Sequence, residues 1–193
     1  MSWDVRAFDT FAPLYDLFMP PADTLALRKG LACADRDVER IVEVGGGSGR
    51  VAREVGATVV DPSEGMLRRA RGRGLETVRG VAEALPLADD SVDALVIVDA
   101  FHHFPDHEGA LREATRVLSD GGVLVITEFD RSTRRGQLLD IGERLVGFDS
   151  TFYSAEELQA AIEDAGLDPR PLEYGFGMTI AGVKERERTD RLS

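Results

Sequence analysis

Residues 41–49 read Ile-Val-Glu-Val-Gly-Gly-Gly-Ser-Gly, and 14 residues after Gly47 a second apolar run closes on Asp61. An apolar run into a glycine loop, a helix-forming stretch and a second apolar run ending on a carboxylate make a β-α-β unit shaped for a ligand. Gly45, Gly47 and Gly49 can take φ > 0 and carry no Cβ to block a close approach. A helix starting near Ser48 would aim its unpaired N–H groups at the same ligand. Asp61, at the end of the second run, can accept both hydroxyls of a ribose. The unit reads as a nucleoside cradle rather than a bare strand-to-helix turn.

The spacing bears on which nucleoside. In dinucleotide-binding folds the acidic residue lies about 20 residues past the glycine fingerprint, and here it lies only 14 past Gly47. Arg50 stands where the third glycine of that fingerprint belongs when the count starts at Gly45, although the shifted register Gly47-Ser-Gly49-Arg-Val-Ala52 does match it. The loop alone therefore leaves a nicotinamide cofactor open.

Strand-like runs at 41–44, 57–61, 75–79, 93–98 and 122–128, with weaker ones near 170–175 and 177–183, alternate with helical patterns. That alternation predicts an α/β fold with a mainly parallel sheet. Ala110, Leu111, Ala114, Val117 and Leu118 fall on one helical face, with Asp106 as its N-cap. Ser154 and Glu157 form a capping-box signature ahead of Leu158, Ala161, Ile162 and Ala165, and Gly166 marks the stop. Glu43 to Gly49, Asp61, Ala82-Glu83 and Asp99 to His103 all fall at or just past strand C-termini, where open α/β sheets bind ligands.

The 193 residues suit one domain. Cys33 is the only cysteine, so no intramolecular disulfide can form, and without an apolar leader the cytoplasm is the expected location. No apolar run approaches the ~20 residues of a membrane span, so no stable membrane insertion is expected. The net charge of −12 opposes nucleic acid as a partner. Lysine occurs only at Lys29 and Lys184; dense acid with scarce lysine suits a protein working in high salt, and equally a GC-rich genome. The arginines at 68, 69, 71 and 73 and at 131, 134 and 135 read as solvated helix faces.

Five ordered segments resemble the class I S-adenosylmethionine-dependent methyltransferases. Glu43-Val-Gly45-Gly46-Gly47-Ser-Gly49 is similar to their glycine motif, and Val60-Asp61-Pro62-Ser63-Glu64-Gly65-Met66-Leu67 to their second segment. Gly80-Val-Ala82-Glu83-Ala-Leu-Pro86-Leu resembles the third, Asp99-Ala-Phe-His-His103-Phe-Pro-Asp106 the fourth, and Glu113 to Gly122 the last. The nearest pattern is the small-molecule branch that includes the ubiquinone and menaquinone methyltransferases, to which Phe8 to Asp16 is also similar. The resemblance implies a single doubly wound Rossmann-like domain over residues 1–193. An N-terminal helical segment, 1–35, would precede a core, 36–193, with a seven-stranded sheet ordered 3-2-1-4-5-7-6.

The resemblance also implies roles. Gly45, Gly46, Gly47 and Gly49 would cradle the methionine end of S-adenosylmethionine, with Glu43 holding the loop or the amino group. Asp61 and Pro62 would meet the ribose, Met66 the adenine, and Tyr15 the carboxylate of the cofactor. Relatives carry an aspartate in the third motif that accepts from the adenine amino group; Val81 stands there instead, leaving Ala82 and Glu83 to serve the ring. His103, with Asp99 behind it, is the candidate general base, since imidazole suits proton removal near neutral pH. His102, His103, His107 and Glu108 do not form a convergent ligand set, so no metal is expected. Asp99-Ala-Phe-His departs from the Asn/Asp-Pro-Pro-Tyr/Phe of DNA-adenine and protein-glutamine methylation. The expected partner is a small, apolar or aromatic methyl acceptor, with Phe101, Phe104, Phe129, Phe148, Phe152 and Tyr153 as candidate pocket residues. A nicotinamide-dependent oxidoreductase and a binding module without turnover are the alternatives; oligomeric state leaves no mark in the sequence.

Overall fold

The central strands of one seven-stranded sheet are buried on both faces, which selects β-branched, leucine and alanine side chains there. The edge strands, Thr77–Arg79 and Asp168–Glu173, stay partly exposed and more polar. The computed structural model describes residues 24–137 and 150–186. In chain order the elements are α1 (Thr24–Leu31), β1 (Ile41–Val44), α2 (Ala52–Val55), β2 (Thr58–Asp61), α3 (Glu64–Gly72), β3 (Thr77–Arg79) and β4 (Val92–Val98). A 3₁₀ turn (Phe101–His103), α4 (His107–Val117), β5 (Leu118–Phe129), α5 (Ala155–Asp164), β6 (Asp168–Glu173) and β7 (Gly177–Val183) complete the order. The sheet runs β3-β2-β1-β4-β5-β7-β6. β7 is antiparallel to both β5 and β6, and the other pairs are parallel.

Alternate side chains along each strand separate two cores. Val42, Val44, Leu95, Ile97, Leu124, Ile126, Met178 and Ile180 face α4 and α5. Ala94, Val96, Val123, Val125, Ala181 and Val183 face Leu27 of α1 and Val51. α1 lies so close to the sheet that a Cβ on Gly30 would stand 2.5 Å from a Val125 methyl. The caps expected from sequence are present: Asp106 accepts from Gly109 N–H at 2.8 Å, and Ser154 and Glu157 form the reciprocal box. Arg71 and Arg131 are paired with Glu64 and Glu157.

Three local expectations need correction. The helix after the glycine loop does not start near Ser48; it spans only Ala52–Val55, because Gly45, Gly47 and Gly49 all adopt φ > 0 and delay the first helical turn. Leu118 does not complete the α4 face. It is extended, φ −67° and ψ 133°, and opens β5, pairing with Val92 across an irregular register that absorbs residues 119–122. β5 is therefore longer than the run 122–128 suggested. Of the N-terminal segment 1–35, only α1 and its exit belong to the described residues. No helix among the described residues is long and apolar enough to cross a membrane.

Candidate functional site

The carboxyl ends of β1, β2, β3 and β4 open onto a cavity of about 620 Å³. Its lining includes Gly45, Gly47, Asp61, Pro62, Met66, Ala82, Glu83, Asp99 and His103, so nine of the residues singled out from sequence meet in one place. Three others do not line it: Glu43 lies beneath the glycine loop, and within the loop Gly46 faces Glu43 and Gly49 faces Leu75. Tyr15 falls outside the described residues.

The loop geometry follows from two buried carboxylates. Glu43 is 2% exposed and its Oε2 accepts from Ala52 N–H at 2.7 Å. A Cβ on Gly46 would stand 2.7 Å from that same oxygen, so the loop folds directly over the carboxyl group. Burial pushes Glu43 up from 4.5 to about 8, against the pull of the Ala52 N–H. Asp61 ends β2; its Oδ2 accepts from Gly47 N–H at 2.9 Å and its Oδ1 from Ser63 N–H at 2.8 Å. Ser63 in turn caps α3 by accepting from Met66 N–H at 3.1 Å. One carboxylate thus ties the glycine loop to the start of α3 and places Met66 in the cavity wall. Gly49 serves packing: a Cβ there would come within 2.2 Å of Leu75.

The Glu43 proton has a measurable consequence. The folded protein holds it up to about pH 8, whereas an exposed glutamate releases it near 4.5. Between those values the unfolded chain binds fewer protons, so this group's contribution to stability falls as pH rises, by about 1.4 kcal/mol per unit. Glu43→Gln has nothing to titrate and should lack that slope. Urea unfolding of both proteins at pH 5, 6, 7 and 8 measures the difference, and parallel curves would place the Glu43 proton elsewhere.

On the far side of the cavity, Asp99 follows β4 with φ +49°, a conformation that aspartate tolerates better than most side chains. Its N–H is held by Thr127 O at 3.0 Å. Burial, then the nearby Glu128 charge, raises Asp99 to about 6. His103 lines the cavity and its Nδ1 lies 3.3 Å from Ser150 Oγ. Burial, then the neighbouring His102, lowers His103 to about 3, which leaves a neutral imidazole of little basicity at neutral pH.

Behind them lies an arrangement that sequence reading missed. Glu128, at the end of β5, accepts from Phe101 N–H at 2.8 Å, and its Oε2 lies 2.8 Å from His102 Nδ1. Both side chains are 4% exposed. The His102 ring stacks on Phe152 at 4.5 Å, and Thr151 N–H donates to His102 O at 2.9 Å. Nothing in a linear pattern pairs two residues 26 positions apart; the only hint was an acid inside an apolar strand.

The aromatic residues expected around an acceptor divide. Phe104 lines the cavity. Phe101 and Phe152 are core residues instead, 1% and 4% exposed: Phe101 is buried from the 3₁₀ turn, and Phe152 stacks on the His102 ring. Tyr153 packs on Phe101, and Phe129 meets Phe176. Phe148 lies outside the described residues. Val81 is 44% exposed at the cavity mouth, and Arg79, which sequence reading did not single out, lines the wall with its Nε donating to Pro62 O at 3.2 Å. Among the described residues, Glu83 Oε1 is buried without a hydrogen-bond partner.

A nucleoside cradle at the switch point of a 3-2-1-4-5-7-6 sheet can be compared with known proteins. Residues 42–126 match the methyltransferase domain family. The chain carries a methyltransferase domain over that span. Methyltransferase GfsG of Streptomyces halstedii is 36% identical over 149 residues, 67% of this chain and 52% of that protein. The demethylmenaquinone methyltransferase of Thermus thermophilus is 38% identical over 140 residues, 63% of this chain and 64% of that protein. The chain spans about half of the first relative and under two thirds of the second. An S-adenosylmethionine-dependent methyltransferase of Thermotoga maritima superposes with a TM-score of 0.79 at 29% identity, covering 95% of this chain and 99% of that one. The sheet order and the matched domain agree with the methyltransferase fold of this neighbour.

Proposed function

We propose that this protein transfers a methyl group from S-adenosylmethionine to a small, apolar or aromatic acceptor. The observation that carries the reading is the single cavity uniting the glycine loop, Asp61, Met66, the Ala82-Glu83 turn, Asp99 and His103. The donor set suits the cofactor. Asp61 presents a carboxylate to the ribose hydroxyls while its loop bonds hold it still. The Ala82 backbone N–H suits an adenine ring nitrogen, and the unsatisfied Glu83 oxygen offers an acceptor for the exocyclic amine that Val81 does not provide. Met66 covers the ring.

When bound, the cofactor's sulfonium supplies both methyl and leaving group, so the protein's task is in-line positioning. The loop over Glu43 fixes the methionine end, and Phe104 and Pro105 give the acceptor side an apolar wall. An acceptor that arrives protonated needs a base with a pKa near the working pH. Asp99, at about 6, meets that need better than His103, at about 3, which suits a neutral hydrogen-bonding role beside Ser150. The rate against pH should then rise through about 6, a limb that Asp99→Asn removes and His103→Gln retains; the reverse pattern would return the base to His103. The half-buried single cysteine and the absence of a disulfide suit a cytoplasmic setting.

Calorimetric titration with S-adenosylhomocysteine, with NADH in parallel, tests the cofactor. Micromolar binding of the first alone is expected, and binding of NADH alone would move the search to redox substrates.

A further inference from the structure

Six cavity-lining residues, Gly80 to Ala84 and Pro86, belong to one turn between β3 and β4. Its cavity side has few internal ties: a single bridge joins Val81 to Ala84, and Gly80 N–H reaches Asp61 O at 3.3 Å. The back of the turn is held far more firmly, by two residues of α4 that do not line the cavity.

Glu113 Oε2 accepts from Leu85 N–H at 2.7 Å. The same carboxylate grips Arg116 with both oxygens, at 2.7 Å from Nε and 2.7 Å from Nη2. The guanidinium then donates from Nη2 to Leu85 O at 3.1 Å, and from Nη1 to Leu87 O at 2.9 Å and Asp89 Oδ1 at 2.6 Å. A guanidinium has five N–H donors in a fixed fork, and here five acceptors meet them. Leu85 is bound through both its N–H and its C=O, so its position along the turn is set from α4. Lysine, a compact charge with three rotatable donors, cannot reproduce that fork.

We propose that Glu113 and Arg116 are positioning residues for nucleobase recognition: by fixing Leu85 and Leu87 they place Ala82 N–H and the Glu83 carboxylate against the edge of the adenine. The proposal rests on the cofactor reading above. It also accounts for how the turn can read a base with valine at position 81, since rigid placement of backbone groups does not depend on that side chain.

The test compares S-adenosylhomocysteine with S-inosylhomocysteine, which differs only at the base edge: its 6-oxo group replaces the amine and its N1 carries a hydrogen. Calorimetry on the wild type should show a preference for the adenine ligand of about tenfold or more, the worth of one matched hydrogen bond. Arg116→Lys and Glu113→Gln should bring that ratio several-fold closer to one. Asp61→Ala, acting at the ribose, should weaken both ligands and leave the ratio in place. A merely structural clamp would lower the melting temperature without moving the ratio, so folded variants that discriminate as the wild type does would overturn the proposal. Should Arg116→Lys not fold, Glu113→Gln and Asp89→Asn, which disturb the network less, decide. A wild type that binds neither ligand overturns the cofactor reading itself. One that binds both equally overturns adenine recognition by this turn, and in either case the positioning role falls with it.

Discussion

Asp61→Ala should weaken S-adenosylhomocysteine binding by about 3 kcal/mol, on the order of a hundredfold. Two losses combine. The ribose hydroxyls lose a charged acceptor, and hydrogen bonds to charged groups are the stronger class. The glycine loop also loses its tie to the start of α3, because Gly47 N–H and Ser63 N–H both donate to this carboxylate. Asp61→Asn should cost less, since an amide keeps one accepting oxygen. Calorimetry at constant pH, with thermal unfolding as a check on the fold, measures both. An unchanged affinity in Asp61→Ala would remove the ribose from this part of the cavity.

Glu128→Ala should destabilise the protein by about 3 kcal/mol, the upper end for leaving buried hydrogen-bonding groups without their acceptor. The mutant would leave Phe101 N–H and His102 Nδ1 facing a space from which water is excluded. Glu128→Gln keeps an acceptor for the backbone N–H and should cost clearly less. The loss should also reach the cavity, because Phe101 to His103 form a single turn and His103 lines the wall. Urea unfolding of the three proteins gives the comparison; a cost under about 1 kcal/mol for the alanine variant would mean that the site is hydrated.

Much of this was legible in the chain because it depends on local rules. The first five strands and the seventh were marked by apolar runs, the sixth only weakly and two residues too late because Asp168-Pro-Arg-Pro is polar. The N-caps were marked by Asp106 and Ser154, since a cap is settled within four residues. The cavity residues were legible for a related reason: glycine loops and strand-end carboxylates announce themselves by position. What was hidden depends on distant pairs. The clamp between Arg116 and Leu85, the bond between Glu128 and His102, and the burial that leaves His103 a weak base all need the sheet to be assembled first. Phe101 and Phe152 were mistaken for acceptor-pocket residues because an aromatic side chain has the same sequence signature in a core as at a cavity wall. The delayed start of α2 was missed because each glycine's permissiveness is visible in sequence, but the use made of it is not.

α4 passes into β5 with no intervening loop, Val117 being helical and Leu118 already strand. One unbroken run, His107 to Phe129, therefore touches the two sides of the cavity from behind: Glu113 and Arg116 reach the turn beside Glu83, and Glu128 holds the turn that carries His103. It acts as a strut that braces both turns and so helps to hold the span between them. In evolutionary terms this divides the domain unequally. The exposed segments beyond the strut, such as the Tyr174–Phe176 hairpin tip, can be lengthened or exchanged without resizing that span. A lineage could in this way acquire new acceptors while inheriting the nucleoside half unchanged.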